Sequence, residues 1–200
     1  PDVLLCRSEV PIPEDQKNKI ALFCNLDKNS VIEASDVKSI YEVPIKYHES
    51  NLDVQILQHF KIKSVKKANL KIWKNIVNTQ KESEGIVTIG IVGKYTSIID
   101  SYKSLIEALT HGGIHNKTKV ELKWIDSEKL ETSASCEKIF RDVHGILVPG
   151  GFGERGANGK LNAIEYARLN NIPFFGICLG MQLAVIEFAR NVLKIKNAYS

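Results

Sequence analysis

Apolar positions change period along the second half of the chain, and each change marks an element. VTIGIVG (87–93), entered at Ile86, is rich in β-branched residues and closes on Gly93, which predicts a strand. A helix is expected from about Asp100 to His111, with Tyr102, Leu105, Ile106 and Leu109 on its apolar face. KVELKWID (119–126) alternates as a strand does, and SCEKIFRDV (135–143) reads as a short helix. GILVPGG (145–151) predicts a buried strand running into a glycine loop, NAIEYARLN (162–170) a helix, and IPFFGI (172–177) a second buried strand before the helix MQLAVIEFARNVL. Strands alternating with helices imply an α/β fold, a doubly wound parallel sheet with helices on both faces.

The first sixty residues show the same kind of material in shorter pieces. VLLC (3–6) and IALFC (20–24) read as short buried apolar elements, and PIPED (11–15) as a turn into a helix around Gln16–Ala21. VIEASDVKSIYEVP (31–44) starts β-branched and breaks at Ser35-Asp36, and NLDVQILQHF (51–60) has helical spacing. From Lys61 the composition turns to Lys, Asn, Glu and Ser. That stretch reads as a linker with one amphipathic helix, KANLKIWKNIVNTQ, that packs Leu70, Trp73 and Val77 against a domain. The expected division is therefore 1–60, a linker at 61–85, and 86–200.

Composition narrows the class. At 44% hydrophobic and 25% charged, the 200 residues suit a folded globular chain rather than a disordered one. The net charge of +4 is modest and KIKSVKK (61–67) reads as a solvated face, so no nucleic-acid partner is expected. No apolar run is long enough to span a bilayer and no signal peptide opens the chain, which begins as a piece of a longer protein would. Cys6, Cys24, Cys136 and Cys178 form no C-x-x-C pair, which argues against a zinc site or disulfide scaffold and for a reducing, cytoplasmic setting.

Two glycine loops fail as nucleotide cradles. GFGERG (151–156) has the letters G-x-G-x-x-G, but the strand that follows carries no ribose-binding carboxylate, and GIVGKYT (90–96) lacks the first glycine of a phosphate loop. Gly176-Ile177-Cys178-Leu179-Gly180 has instead the form of a nucleophile elbow, a strand-to-helix turn tight enough to require small flanking residues. A cysteine there stands at a helix N-terminus, whose dipole favours the thiolate. The N–H of Leu179 and the amides of Gly150 and Gly151 are then candidates for an oxyanion hole. The competing reading is a buried structural cysteine packed between glycines.

PGGFGERG followed by IPFFGICLGMQLAVIEFARN resembles the glutaminase domain of the CTP synthases, which are class I (triad-type) glutamine amidotransferases. GIVGKYTSIIDSYKSLIEALTHGG resembles the opening of that domain, and PDVLLCRSEVPIPEDQKNKIALFCNL with VIEASDVKSIYEVP resembles the end of the family's synthetase (amidoligase) domain, of α/β P-loop type. The resemblance implies a flavodoxin-like glutaminase domain, truncated, after a linker and a synthetase tail.

It also implies roles. Cys178 would attack the glutamine side-chain amide, with Leu179 and the Gly150/Gly151 loop holding the oxyanion. Gly151, Phe152, Leu179, Gly180, Met181 and Gln182 would line the glutamine pocket, with loop and core packing the plain alternative for Phe152, Met181 and Gln182. Lys19 matches a lysine that binds UTP or CTP, and Ser35, Asp36 and Val37 match a segment at the ATP site; a solvated lysine and a helix start are the plain alternatives. GERGANGK (153–160) resembles an RGxxGK element tied to the activator GTP, through Arg155 and Gly156, with Asn158 where the family has glutamate. Mg²⁺ is implied with ATP, its ligands outside these residues, and so is a homo-oligomer, a tetramer in the family. The family's catalytic His and Glu lie downstream of the nucleophile, and none of His48, His59, His111, His115 and His144 matches that histidine. The 200 residues alone are therefore expected to be inactive as a glutaminase. A regulatory or assembly module with a vestigial elbow is the alternative function. A related cysteine hydrolase would place a histidine directly after Cys178, where LGMQ stands.

Overall fold

A computed structural model of the chain describes residues 1–63, 66–93, 99–151 and 156–199. They form two compact units, Pro1–Glu82 and Ser83–Ser200.

In the first unit β1 (Leu4–Ser8) pairs in parallel with β2 (Val31–Ser35), from Leu4 opposite Val31 to Ser8 opposite Ser35. Helix α1 (Glu14–Cys24) crosses between them, with Glu14 and Asp15 complementing its positive end and Asn25 closing it in the left-handed region at φ 52°. IALFC is thus the last part of a helix and not a buried segment: Leu22 and Phe23 are 79% and 87% exposed, and of this run only Ala21 is buried. An unbroken apolar pentad fits either element, and the turn begun at Pro13 decides it. Helices α2 (Val43–Glu49), α3 (Leu52–His59) and α4 (Lys71–Lys81) follow. The expected amphipathic helix is α4, which buries Val77 and leaves Trp73 37% exposed at the rim.

The second unit is an all-parallel sheet of β3 (Gly85–Gly93), β4 (Thr118–Asp126), β5 (Gly145–Val148) and β6 (Phe174–Gly176), in the order β4-β3-β5-β6. Numbered within the unit this is 2-1-3-4, the flavodoxin-like winding. Helices α5 (Lys103–His115), α6 (Ser133–Phe140), α7 (Ala157–Leu169) and α8 (Leu179–Asn191) connect and follow the strands. Val92, Ile125, Ile146 and Val148 meet Phe140, Ile164, Ala167, Leu183 and Ile186 of α6, α7 and α8 in one core. Ile91 and Leu147 point to the opposite face, where Gly113 of α5 approaches Val120 and Tyr102 rests 5.2 Å from the Trp124 ring. Helices on both faces are what parallel strands require.

Two expectations shift. IPFFGI contributes a three-residue strand whose Phe175 is 63% exposed, so it is not a buried strand. Helix α7 begins at Ala157, earlier than its apolar pattern shows, and takes in all of ANGK. It is fastened to α8 by Arg168, which donates to both oxygens of the 1% exposed Glu187 at 2.6 to 3.1 Å, while Asn191 donates to the same carboxylate at 3.0 Å. Burial pushes the Glu187 carboxyl up, but these hydrogen bonds outweigh it and hold the group below the usual carboxylate range.

Candidate active site

Strand β6 ends at Gly176 and α8 begins at Leu179, which leaves two residues to reverse the chain. Ile177 donates to Val148 O at 2.9 Å, tying the turn to the end of β5, and Gly180 donates back to Ile177 O at 2.9 Å. Side chains are excluded on both sides. A Cβ on Gly176 would lie 2.6 Å from the Gly180 backbone, and one on Gly180 would strike the Val148 carbonyl, 2.9 Å from its carbon. Cys178 between them takes φ 50° and ψ −108°, a conformation that costs an L residue about 1–3 kcal/mol. A buried packing cysteine has no need of that strain. Cys178 is in fact the exposed one of the four cysteines: Cys6 and Cys24 are half-buried and Cys136 is buried. Burial pushes the thiols of Cys136 and Cys6 up, which blunts them as nucleophiles.

The loop after β5 closes the site. A Cβ on Gly150 would sit 3.4 Å from Cys178 Cβ, so this backbone lies close to the Cys178 side chain. Leu179 is the first residue of α8, and its N–H has no backbone acceptor among the described residues, nor do those of Gly150 and Gly151. Cys178, Leu179, Gly150 and Gly151 therefore gather at the carboxyl ends of β5 and β6, where open parallel sheets place their sites. Gly180 is buried beneath the turn, while Met181 and Gln182 are exposed on the first turn of α8, with Gln182 donating to Cys178 O at 3.1 Å. Phe152 and Arg155 lie outside the described residues. Gly156 is the N-cap of α7 at φ 75°, and beside it a cleft of about 510 Å³ is lined by Ser127, Glu128, Asn158 and Asn162 among others.

No histidine is built into this turn. Thr88 N–H donates to His144 Nδ1 at 3.0 Å, which pins that ring at the amino end of β5, away from the carboxyl ends. His115 ends α5 ahead of β4, and His48 pairs with Asp53 at 2.7 Å within the first unit.

In that unit Ser35, Asp36 and Val37 lie at and just past the carboxyl end of β2, with Asp36 N–H donating to Ser8 O at 2.9 Å. Arg7 donates to Asp36 at 2.8 Å, a pairing that nothing local in the sequence marks, since the two lie 29 positions apart. Lys19 is an exposed lysine of α1, 3.8 Å from Asp15. Among the described residues no three His, Cys, Asp or Glu side chains group to hold a metal ion, and no helix is long and apolar enough to cross a membrane.

The glutamine amidotransferase class-I family model matches residues 97–199, more than half of the chain. The chain belongs to the class-I glutamine amidotransferases. Its residues 1–62 match the CTP synthase N-terminus model. CTP synthases of Pelagibacter ubique and Azospirillum brasilense are 56% identical over 200 residues and 54% over 199, across all of this chain. The chain spans 37% and 36% of their lengths. A solved glutaminase domain of the Trypanosoma brucei CTPS, with bound acivicin, is 44% identical, covering 57% of this chain and 44% of that one at a TM-score of 0.52. An amidotransferase has use for each part of the elbow: a strained cysteine, amides beside it with no backbone acceptor among the described residues, and glycines that let the two strand ends meet.

Proposed function

We propose that the protein is a CTP synthase, in which glutamine hydrolysed at Cys178 supplies ammonia for the ATP-dependent amination of UTP. The strained, exposed Cys178 beside the Gly150–Gly151 loop carries the reading, and the CTP synthase match of residues 1–62 supports the second reaction. The Cys178 thiolate attacks the side-chain amide carbon, and the oxyanion is held by Leu179, Gly150 and Gly151. The C–N bond then breaks, ammonia leaves with a proton, and water releases glutamate from the thioester. Gly151, Phe152, Leu179, Gly180, Met181 and Gln182 are proposed to line the glutamine pocket.

In the other reaction the phosphoryl group of ATP activates the uracil oxygen, and ammonia displaces it as phosphate. Ser35, Asp36 and Val37, at the strand end that parallel sheets use for ligands, suit the ATP role, and Lys19 is proposed for UTP or CTP. Mg²⁺ would accompany ATP on ligands other than the described residues. GTP is proposed as an effector at Arg155 and Gly156, beside the cleft next to Asn158. A cytoplasmic homo-oligomer, a tetramer, completes the proposal.

The test is product analysis on the full-length gene product. UTP, ATP, Mg²⁺ and glutamine should yield CTP and glutamate in equal amounts, whereas the 200 residues alone, which hold no histidine at the elbow, should release no glutamate above buffer. Glutamate release with UTP left unconsumed would overturn the synthase reading and leave the glutaminase one standing.

A further inference from the structure

Lys160 is a cation where two ordinary effects disfavour one. It is 4% exposed, and lysine is among the residues least often buried. It also belongs to the first turn of α7, at the helix end whose amides repel positive charge. Its N–H donates to Gly156 O at 3.1 Å, which fixes where the side chain departs. The side chain then reaches the loop after β5, and its Nζ lies 3.9 Å from the position a Cβ on Gly151 would take. The adjacent Gly150 is the residue whose backbone approaches Cys178, at 3.4 Å by the same measure. Lys160, Gly151, Gly150 and Cys178 thus follow one another from a buried cation to the nucleophile, by way of the loop that offers the oxyanion amides.

We propose that Lys160 is a positioning residue for the oxyanion site. Its ammonium holds the Gly150–Gly151 turn with its amides facing Cys178, and adds positive potential where the tetrahedral oxygen gathers charge. The proposal deepens the glutaminase reading and rests on it. In bound glutamine the amide oxygen is neutral. When the Cys178 sulfur bonds to the carbon, that oxygen takes the electron pair of the C=O π bond, and it returns the pair as the C–N bond breaks and ammonia departs. A fixed charge beside the loop therefore acts on the transition state more than on the substrate, and Lys160 keeps its proton throughout. The charge appears a second time when water attacks the thioester.

The experiment is Lys160→Met and, as a second neutral side chain, Lys160→Gln in the full-length gene product. Both variants are expected to hydrolyse glutamine with kcat lowered ~10- to 100-fold and KM within about threefold of the unsubstituted protein. Alkylation of Cys178 by iodoacetamide is a displacement at saturated carbon that forms no oxyanion, and its rate should stay within about twofold. That split between acyl and alkyl chemistry is one a merely structural lysine does not produce. An unchanged kcat in either folded variant overturns the proposal, and so does a loss of alkylation that parallels the loss of turnover. If the unsubstituted protein hydrolyses no glutamine, the glutaminase reading itself fails, and the proposal with it.

Discussion

Replacing Cys178 by alanine in the full-length gene product should abolish CTP formation from glutamine, by at least ~10³-fold, and leave CTP formation from ammonium chloride within about twofold of the original rate. Cys136 is buried in the core among Phe140 and Ile164, Cys6 and Cys24 are half-buried, and burial pushes the Cys136 and Cys6 thiols up, so none of them is as well presented as Cys178. On the proposed route, ammonia added from solution enters after the step that needs the thiolate, so it should bypass the lesion. The thermal midpoint should barely move, since Cys178 is exposed and the substitution removes little packing. A vestigial elbow in an assembly module predicts the reverse, with glutamine-supported and ammonia-supported rates alike indifferent to the change. Both rates are read in one assay by following CTP.

A single methyl group on Gly180 should do nearly as much damage through geometry. The added Cβ meets the carbonyl of Val148, which is backbone of the β5 strand end and has no rotamer by which to yield. Either β5 and α8 separate or the elbow rotates. Overpacking of this kind costs about 3 kcal/mol, close to 10 °C of midpoint for a domain of this size. The catalytic effect is larger in proportion, because a misplacement of the nucleophile by about 1 Å costs on the order of 10²-fold. Gly180→Ala should therefore lower glutamine turnover at least 100-fold while iodoacetamide still finds a thiol to alkylate. Gly112→Ala is the control. Its Cβ meets nothing within 4 Å on the surface of α5, so alanine there should leave turnover unchanged and stabilise by about 0.5–1 kcal/mol. Wild-type turnover in Gly180→Ala would show that the close approach of α8 to β5 does not set the position of the nucleophile.

The parts of this site differ in how legible they were along the chain. The elbow was legible because its constraint is local: five consecutive residues must reverse a strand into a helix, and only glycines at 176 and 180 allow it. The parallel sheet was legible for a similar reason, since β3 and β5 are β-branched and apolar runs closed by glycine. The start of α7 was not, because glycines at 156 and 159 weaken the helical signal that Ala163, Ile164 and Ala167 restore later. Lys160 went unseen as a buried group for that reason. In a loop it reads as solvated, and only when the helix begins at Ala157 does it turn toward Gly151. Arg168 with Glu187, and Arg7 with Asp36, join residues 19 and 29 positions apart, and no periodicity records such pairings. The exposure of Leu22 and Phe23 escaped notice because an apolar run carries no mark of which side meets solvent.

The central claim is that the fold presents Cys178, and no other cysteine, to a γ-glutamyl substrate. Peptide-resolved mass spectrometry of the full-length gene product after treatment with 6-diazo-5-oxo-L-norleucine tests it most directly. The account predicts one adduct, on Cys178, slowed by competing glutamine, with Cys6, Cys24 and Cys136 unmodified. An unmodified Cys178, or labelling spread evenly over the four cysteines and indifferent to glutamine, would contradict it.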